Sequence, residues 1–264
     1  MKRFTSWDEI EIAYHEWGEL RDTRPPVVLH HGFAVDARAN WELTGVVDAL
    51  VDAGRHVVAP DARGHGHSQK PHDPARYGEQ RMARDLACLV DELGAERIDL
   101  VGYSMGAIVA LLFAGADPRV HRLCVGGVGA GVIECGGVDR RAVPNESIIA
   151  ALESEDPDTI EPPAARPFRA LADALGADRR ALAAQARAVY RGEFALDRIA
   201  APTLILAGRE DPLAIRPQLL AQAIPGARLT LLSGDHASTV ATPEFRVAIV
   251  EFLAAGAAPA RGAR

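Results

Sequence analysis

The chain has 264 residues, of which 48% are hydrophobic and 25% are charged. This composition is typical of a folded domain with a sizeable core, and it excludes a disordered, collagen-like or disulfide-stapled chain. The 36 acidic residues outnumber the 29 basic ones, so the net charge is −7. Because phosphate binding needs clustered basic surface, we expect no nucleic-acid partner.

Two further features bear on where the protein works. The N-terminal residues are polar, so we expect no signal peptide. The longest uncharged run, 100–116, is shorter than the roughly 20 residues of a membrane span. The three cysteines, Cys88, Cys124 and Cys135, suit a reducing compartment. We therefore expect a cytoplasmic monomer or homodimer that acts on a small molecule and has no membrane partner.

Strand and helix patterns alternate along most of the chain. Alternating apolar residues predict a first strand at 10–14, and short apolar runs predict buried strands after it. These runs lie at 27–29, 56–59, 98–101, 123–128, 203–206 and 229–232, and the predicted helices lie at 42–52, 79–94, 105–116, 216–223 and 244–253. Strands that are apolar on both faces indicate a mostly parallel sheet between two helical layers.

The segment 134–199 interrupts this alternation. It has several helical pieces separated by prolines and no convincing strand. We interpret it as a helical insertion over one edge of the sheet, with residues 1–133 and 200–264 forming the core.

The residues Gly102-Tyr-Ser-Met-Gly106 match the pattern G-x-S-x-G. They follow a predicted strand and open a predicted helix, the context in which the serine of a nucleophile elbow projects above the sheet. A serine hydroxyl is a weak nucleophile, so it needs a base and an orienting acid. The sequence therefore predicts Ser104 as a nucleophile whose partners lie further along the chain.

The two partners follow the next predicted strands. Asp211 comes after the strand at 203–206, and His236 comes after the strand at 229–232. The carboxyl ends of parallel strands meet at one edge of the sheet, and the order Ser, Asp, His is that of this elbow. Glu210 and Asp235 are the rival acids. We favour Asp211, since Glu210 would point away from it and Asp235 is too close to His236 along the chain.

A negatively charged tetrahedral intermediate needs two hydrogen-bond donors. The Met105 N–H opens a helix, where N–H groups are unpaired and the dipole favours an anion. A second donor is expected after the strand at 27–29, where Gly32 permits an unusual backbone angle and Phe33 offers its N–H. We predict an oxyanion hole formed by Phe33 and Met105.

The motifs together resemble those of a known superfamily. They are His31-Gly-Phe33, Asp61-x-Arg-Gly-x-Gly-x-Ser68, Gly102–Gly106, Gly208-x-x-Asp211 and Gly234-x-His236, in that order. The chain resembles the α/β-hydrolase superfamily, and specifically its capped serine esterases and lactonases. The resemblance implies an α/β-hydrolase fold: a mostly parallel eight-stranded sheet flanked by helices, with an inserted helical cap over the active site. One departure is Ala107, where the family usually has a further glycine.

We expect the substrate pocket between the sheet edge and the cap. Its predicted substrate-binding residues are Gly32, Trp41, Ile133, Phe168 and Leu171, next to Phe33 and Met105. The apolar members could equally be ordinary core residues. Few aromatic residues and no isolated basic cluster lie in the insertion, which favours a small, largely apolar substrate.

We expect no metal and no cofactor. The pair His65-Gly-His67 lacks acids or cysteines at a spacing typical of metal ligands. The glycine-rich segment 126–131 does not match G-x-G-x-x-G in any register.

The predicted reaction is hydrolysis of a carboxylic ester or lactone through an acyl-enzyme. The resemblance also implies alternatives on the same triad, a carbon–carbon bond hydrolase or a cofactor-free perhydrolase. The carbon–carbon hydrolase would need a cap residue that binds a second carboxylate, and Arg166, Arg169 or Arg187 could serve. A non-catalytic small-molecule receptor is the alternative of another class. Dehalogenases and epoxide hydrolases are excluded, since they use an aspartate where this chain has Ser104.

Overall fold

The computed structural model describes residues 1–19 and 24–255, in which eight strands form one sheet. The strands are β1 (Lys2–Thr5), β2 (Glu11–Trp17), β3 (Val27–His30), β4 (Val57–Pro60), β5 (Ile98–Tyr103), β6 (Val120–Gly126), β7 (Thr203–Gly208) and β8 (Arg228–Leu232). Their order across the sheet is β1-β2-β4-β3-β5-β6-β7-β8. Strands β3 to β8 pair in parallel, while β1 and β2 are antiparallel to their neighbours. The predicted eight-stranded, mostly parallel sheet is confirmed.

The burial of each strand follows its residue pattern. Every residue of β3, β4, β5 and β7 is buried, because helices cover both faces of the sheet there. Strand β2 lies between β1 and β4 and begins at the exposed Glu11. Strand β1 has no match among the strands predicted from the residues. It has a single buried side chain, Phe4, and its pairing with β2 is what makes it a strand.

Helices cover both faces of the sheet. They are α1 (Val46–Asp52), α2 (Glu79–Glu92), α3 (Met105–Ala114), α4 (Gly131–Glu134), α5 (Asn145–Glu153), α6 (Arg166–Ala174), α7 (Arg179–Arg187), α8 (Pro217–Ala223) and α9 (Pro243–Ala254). Helices α1 and α9 pack on one face of the strands, and α2, α3 and α8 pack on the other. Alternate side chains of each strand point into these two cores, the layering that the apolar runs predicted.

The chain between β6 and β7 is helical and contains α4 to α7. Helix α5 packs against α6 and α7 around a small core of its own that also contacts Phe33. The predicted boundaries fall at the last residue of α4 and just after the short helical turn Leu196–Arg198. Residues 256–264 of the predicted core lie outside the described residues. Within those residues, no helix is both long enough and apolar enough to cross a bilayer.

Candidate active site

Ser104 occupies a sharp turn between β5 and α3. Its backbone has φ +54° and ψ −116°, a conformation that costs energy for any residue with a Cβ. The turn is held by the Ser104 N–H, which donates to the Gly126 carbonyl at 2.8 Å. A Cβ on Gly106 would collide with the His30 backbone, so the second glycine of the motif allows α3 to pack closely on β3.

Three side chains from the ends of three strands form a hydrogen-bonded chain at this edge. The His236 Nε2 lies 2.9 Å from the Ser104 Oγ, and the His236 Nδ1 lies 2.8 Å from an Asp211 carboxylate oxygen. The other Asp211 oxygen accepts the Leu213 N–H at 2.8 Å, which fixes the carboxylate in a buried position. The Tyr103 hydroxyl donates to the His236 carbonyl at 2.8 Å. The fold thus brings together three residues that are 25 and 132 positions apart.

The rival acids have other partners. Glu210 is exposed and accepts the Gly234 N–H at 2.7 Å. Asp235 accepts the Ser238 hydroxyl and two backbone N–H groups within its own loop. The hydrogen bond from the Ser238 hydroxyl is the main reason that the pKa of Asp235 is lowered. Both acids therefore stabilise the turns around His236, while Asp211 contacts its ring.

The loop after β3 lies against the nucleophile. A Cβ on Gly32 would lie 3.5 Å from the Ser104 Cβ, and the Gly32 N–H donates to Asn40 Oδ1 at 2.8 Å. No described residue accepts the Phe33 N–H, and the Met105 N–H is the first of α3, where no helical acceptor exists. Phe33 and Met105 also line the same cavity as Ser104. Two N–H donors are thus available beside the hydroxyl.

Two buried neutral histidines support this loop. His31 Nδ1 bonds the Gly32 carbonyl at 2.7 Å, and its Nε2 accepts the Ala62 N–H at 2.8 Å. His65 Nδ1 bonds the Arg63 carbonyl, and its Nε2 accepts the Ala34 N–H. Burial lowers the pKa of His31 and lowers that of His65 to about 3. Both rings therefore act as structural supports.

A cavity of about 80 Å³ lies over Ser104, between the core and the inserted helices. Its wall is mostly apolar and includes the predicted residue Phe168, whose ring centroid lies 6.2 Å from that of Phe33. The other apolar lining residues are Met105, Ile108, Val138, Val143, Ile148, Ala186, Val189 and Leu213. A space of this size holds several water molecules, or a small acyl group.

The other predicted pocket residues lie elsewhere. Trp41 is fully buried in the core on the α1 and α9 face, because the turn Arg38–Glu42 directs its ring inward. Ile133 is half exposed and borders a separate groove. Leu171 is also exposed and does not line the cavity. Gly32 adjoins Ser104 but does not line the cavity. Sequence position alone did not separate these residues from Phe168.

The cap arginines considered for carboxylate binding also have other partners. Arg166 pairs with Glu161, Arg169 with Asp173, and Arg187 with Glu153. None of the three lines the cavity, whereas Arg140 does. Arg140 donates to the Cys135 carbonyl and forms no direct ion pair in the described part of the chain, although its charge acts on Glu79 in the same cavity wall. In the sequence, Arg140 lies among other charged residues before α5, and no motif spacing marks it as a binding residue.

A buried acid in the cavity wall was not anticipated. Glu79 begins α2, and its carboxylate accepts the Tyr190 N–H at 2.6 Å and the Gln185 amide at 3.4 Å. Gln185 is fully buried, and its amide also lies 4.0 Å from the Met105 sulfur. Burial raises the pKa of Glu79, and two backbone hydrogen bonds and the charge of Arg140 oppose this shift without reversing it. In sequence, this residue looks like an ordinary acid in a first helical turn.

Sequence comparisons point to hydrolases. Residues 25–125 match the model of the alpha/beta hydrolase fold. Over 108 residues the chain is 44% identical to epoxide hydrolase A of Mycobacterium tuberculosis, and over 134 residues it is 39% identical to the 2-hydroxy-6-oxo-2,4-heptadienoate hydrolase of Pseudomonas putida. These alignments cover 41% and 49% of this chain, but only 32% and 46% of the two relatives.

A third relative aligns over most of its length. RutD of Pseudomonas savastanoi pv. phaseolicola, named as a candidate carbamate hydrolase, is 32% identical over 224 residues, which are 78% of this chain and 86% of that protein. Two solved structures also align with nearly the whole chain. A hydrolase from Pseudomonas aeruginosa has a TM-score of 0.77 and 29% identity, with 96% of this chain and 98% of that chain covered. A thermophilic esterase from Thermogutta terrifontis has a TM-score of 0.70 and 28% identity, with 96% and 97% covered.

The sheet topology, the turn at Ser104, the sequence matches and the structural matches all indicate the same family. The chain belongs to the α/β-hydrolase family.

Proposed function

We propose that this protein is a serine hydrolase that cleaves a small, largely apolar carboxylic ester or lactone through an acyl-enzyme. The observation that supports this proposal most strongly is the chain of hydrogen bonds from Ser104 through His236 to Asp211, with distances of 2.9 and 2.8 Å. These distances are those of a nucleophile activated by a base, which is itself oriented by an acid.

In the proposed reaction, the Ser104 Oγ attacks the carbonyl carbon and its proton passes to the His236 Nε2. Asp211 accepts a hydrogen bond from the His236 Nδ1–H, which fixes the tautomer of the ring and stabilises the imidazolium. The N–H groups of Phe33 and Met105 donate to the oxyanion. When the tetrahedral intermediate collapses, the imidazolium protonates the leaving alkoxide. Water then attacks the carbonyl carbon of the acyl-enzyme and gives its proton to the His236 Nε2. Collapse of this second intermediate releases the acid and restores the Ser104 hydroxyl.

The cavity supports the substrate class. Most of its wall is apolar, and its size fits a short acyl group. A lactone would enter as a ring and leave as a hydroxy acid. This resembles ester cleavage, except that the leaving group stays attached to the acyl chain.

The test is turnover of p-nitrophenyl esters from acetate to octanoate by the wild type and by Ser104→Ala. We expect hydrolysis that is fastest for the short esters and absent in the variant. Covalent labelling of Ser104 by a fluorophosphonate is the second measurement, because it reports an activated serine independently of the substrate. Failure of both assays would reject the serine hydrolase mechanism.

A carbon–carbon bond hydrolase is the second candidate function. Arg140 favours it, since a guanidinium that lines the cavity and is not held in a direct ion pair can bind a substrate carboxylate. The Pseudomonas putida relative is named for such an anionic dienoate. Turnover of a 2-hydroxy-6-oxodienoate that falls in Arg140→Met but not in Arg166→Met would support this reaction. No loss of dienoate absorbance with the wild type would exclude it.

A further inference from the structure

A second cluster of side chains that can bind a ligand lies where the Asp61–Ser68 loop meets strand β2. His67 and Asp61 belong to this loop, and His15 lies on the neighbouring strand β2. The His67 Nδ1 is 3.3 Å from the Asp61 Oδ2, and the His15 Nε2 is 3.7 Å from the same oxygen. All three atoms lie within 4.8 Å of one another. We propose that His15, Asp61 and His67 form a binding site for Zn²⁺ or a similar divalent transition-metal ion.

The donor set matches this class of ion. Two imidazoles and one carboxylate are typical zinc ligands, with bond lengths of about 2.0–2.2 Å. In a tetrahedral arrangement, such bonds place the donor atoms about 3.3 Å apart. The two distances to Asp61 are near this value. Since the side chain of His67 is 53% exposed, it can rotate to bring the third distance into range.

A separate observation concerns His15. Its Nε2 is buried, and it has no hydrogen-bond partner among the described residues. A buried polar atom without a partner is costly. It faces the Asp61 carboxylate, so a metal ion between the two would satisfy it. His15 also stacks on Trp17 with ring centroids 5.6 Å apart, which fixes the orientation of its ring.

Backbone N–H groups hold the Asp61 carboxylate in position. Asp61 Oδ1 accepts the Ala37 N–H at 3.0 Å, and Oδ2 accepts the His67 N–H at 2.7 Å. The backbone donors of Ala37 and His67 thus orient the Asp61 carboxylate, as hydrogen-bond partners of metal-binding side chains commonly do.

A groove gives the ion access from solvent. His15 and His67 line it together with Trp17, Arg38 and Glu42. Arg38 pairs with Glu42 at 2.6 Å, so its charge is balanced and repels an incoming cation less. Each imidazole would bind the ion through one unprotonated ring nitrogen.

Sequence spacing could not reveal this site. The adjacent pair His65 and His67 separates in the fold, because His65 points toward Ala34 and the loop after β3. The partner of His67 comes instead from β2, whose pairing with β4 places His15 opposite Ala59, close to Asp61.

The test is isothermal titration of tag-free, chelator-treated protein with ZnCl₂, together with Co²⁺ absorption. The variants are His15→Gln and His67→Ala. The control is His72→Ala, which removes a similarly exposed histidine that pairs with Asp178 instead of with the site residues. We expect one equivalent of metal in the wild type and the control, and affinity at least about tenfold weaker in both site variants. The wild-type Co²⁺ spectrum should indicate nitrogen and oxygen ligands.

His67→Ala is the safer variant, because its side chain is half exposed and its loss leaves no cavity. Its circular dichroism and melting temperature without metal should match those of the wild type. Added Zn²⁺ should raise the melting temperature of the wild type but not of this variant. The absence of saturable binding to the wild type, or unchanged binding to His67→Ala, would overturn the proposal. None of these measurements depends on the esterase reaction.

Discussion

At the scale of single residues, the environment of each carboxylate decides its role. Asp211 and Glu210 are sequence neighbours, yet one contacts the His236 ring and the other accepts the Gly234 N–H. Consecutive residues in the turn after β7 direct their side chains differently, so a shift of one position moves a carboxylate out of the site. The sequence supported Asp211 for this reason, and the geometry gives the two acids different partners.

Replacement of Asp211 tests this assignment. We expect Asp211→Asn to lower kcat/KM for a nitrophenyl ester by roughly three orders of magnitude or more, because an amide no longer holds the histidine tautomer. The matched control, Glu210→Gln, should change turnover little. Steady-state kinetics of both purified variants provide the measurement, and the opposite ranking would make Glu210 the orienting acid.

Glu79 is the other residue whose surroundings matter more than its type. Burial raises its pKa in the folded protein, so folding favours the protonated form. The free-energy penalty for burying the ionised side chain is absent at pH values below the pKa of Glu79 in the unfolded chain. It grows as the pH rises toward the pKa of Glu79 in the folded protein. Glu79→Gln removes this ionisation but keeps an oxygen that can accept the Tyr190 N–H.

We therefore expect the stability of Glu79→Gln relative to the wild type to increase as the pH is raised from 4 to 8. Urea unfolding at several pH values measures this difference. Glu92→Gln, at the exposed end of the same helix, is the control and should show little pH-dependent change. A difference that shrank with rising pH would mean that Glu79 is stabilised as a carboxylate.

At the scale of elements, the turn between β5 and α3 combines strain with function. Ser104 has a positive φ because the strand must turn directly into a helix whose N-terminus meets the nucleophile. Such conformations cost roughly 1–3 kcal/mol for residues with a Cβ. Strand β5 is fully buried, and so is every residue of α3 except Leu112, which provides the packing that maintains the turn.

Two variants that both lack the hydroxyl measure this strain. Ser104→Gly should be more stable than Ser104→Ala by about 1 kcal/mol, since glycine adopts the turn without a Cβ clash. Thermal and chemical unfolding of both variants give the comparison, and neither should turn over ester. If Ser104→Ala proved equally stable, the turn would carry no measurable strain.

At the scale of the whole molecule, a buried arginine joins three separate regions. Arg63 is fully buried and binds Asp85 on α2 at 2.6 Å and Asp8 in the β1–β2 connection at 2.9 Å. It also donates to the Arg76 carbonyl at 2.6 Å. Burial raises the pKa of Asp85, so this carboxylate depends on its counterion.

Removal of this cation should destabilise the fold. We expect Arg63→Met to lower the free energy of unfolding by about 3–5 kcal/mol at neutral pH, because it leaves a buried carboxylate unpaired. The loss should shrink toward acidic pH as Asp85 becomes protonated. Arg81→Met is the control, since Arg81 contacts Asp8 at 3.5 Å from a partly exposed position and should cost below about 1 kcal/mol. Equal losses in the two variants would contradict this view.

The sequence by itself determined the sheet, the elbow and the positions of Asp211 and His236. These features depend on local signals: apolar runs bounded by glycines, and functional residues at the ends of strands that a parallel sheet brings to one edge. Strand β1 escaped this reasoning because only Phe4 is buried in it.

Only the tertiary structure decided which residues line the cavity and which residues from distant segments contact each other. Phe168 contacts Phe33, whereas Trp41 packs in the core, although both are aromatic residues in similar local patterns. Glu79 meets Tyr190, and His15 meets His67, through contacts between distant segments. Such contacts depend on how helices and strands pack, and packing is set by the complete set of side chains rather than by any short stretch of sequence.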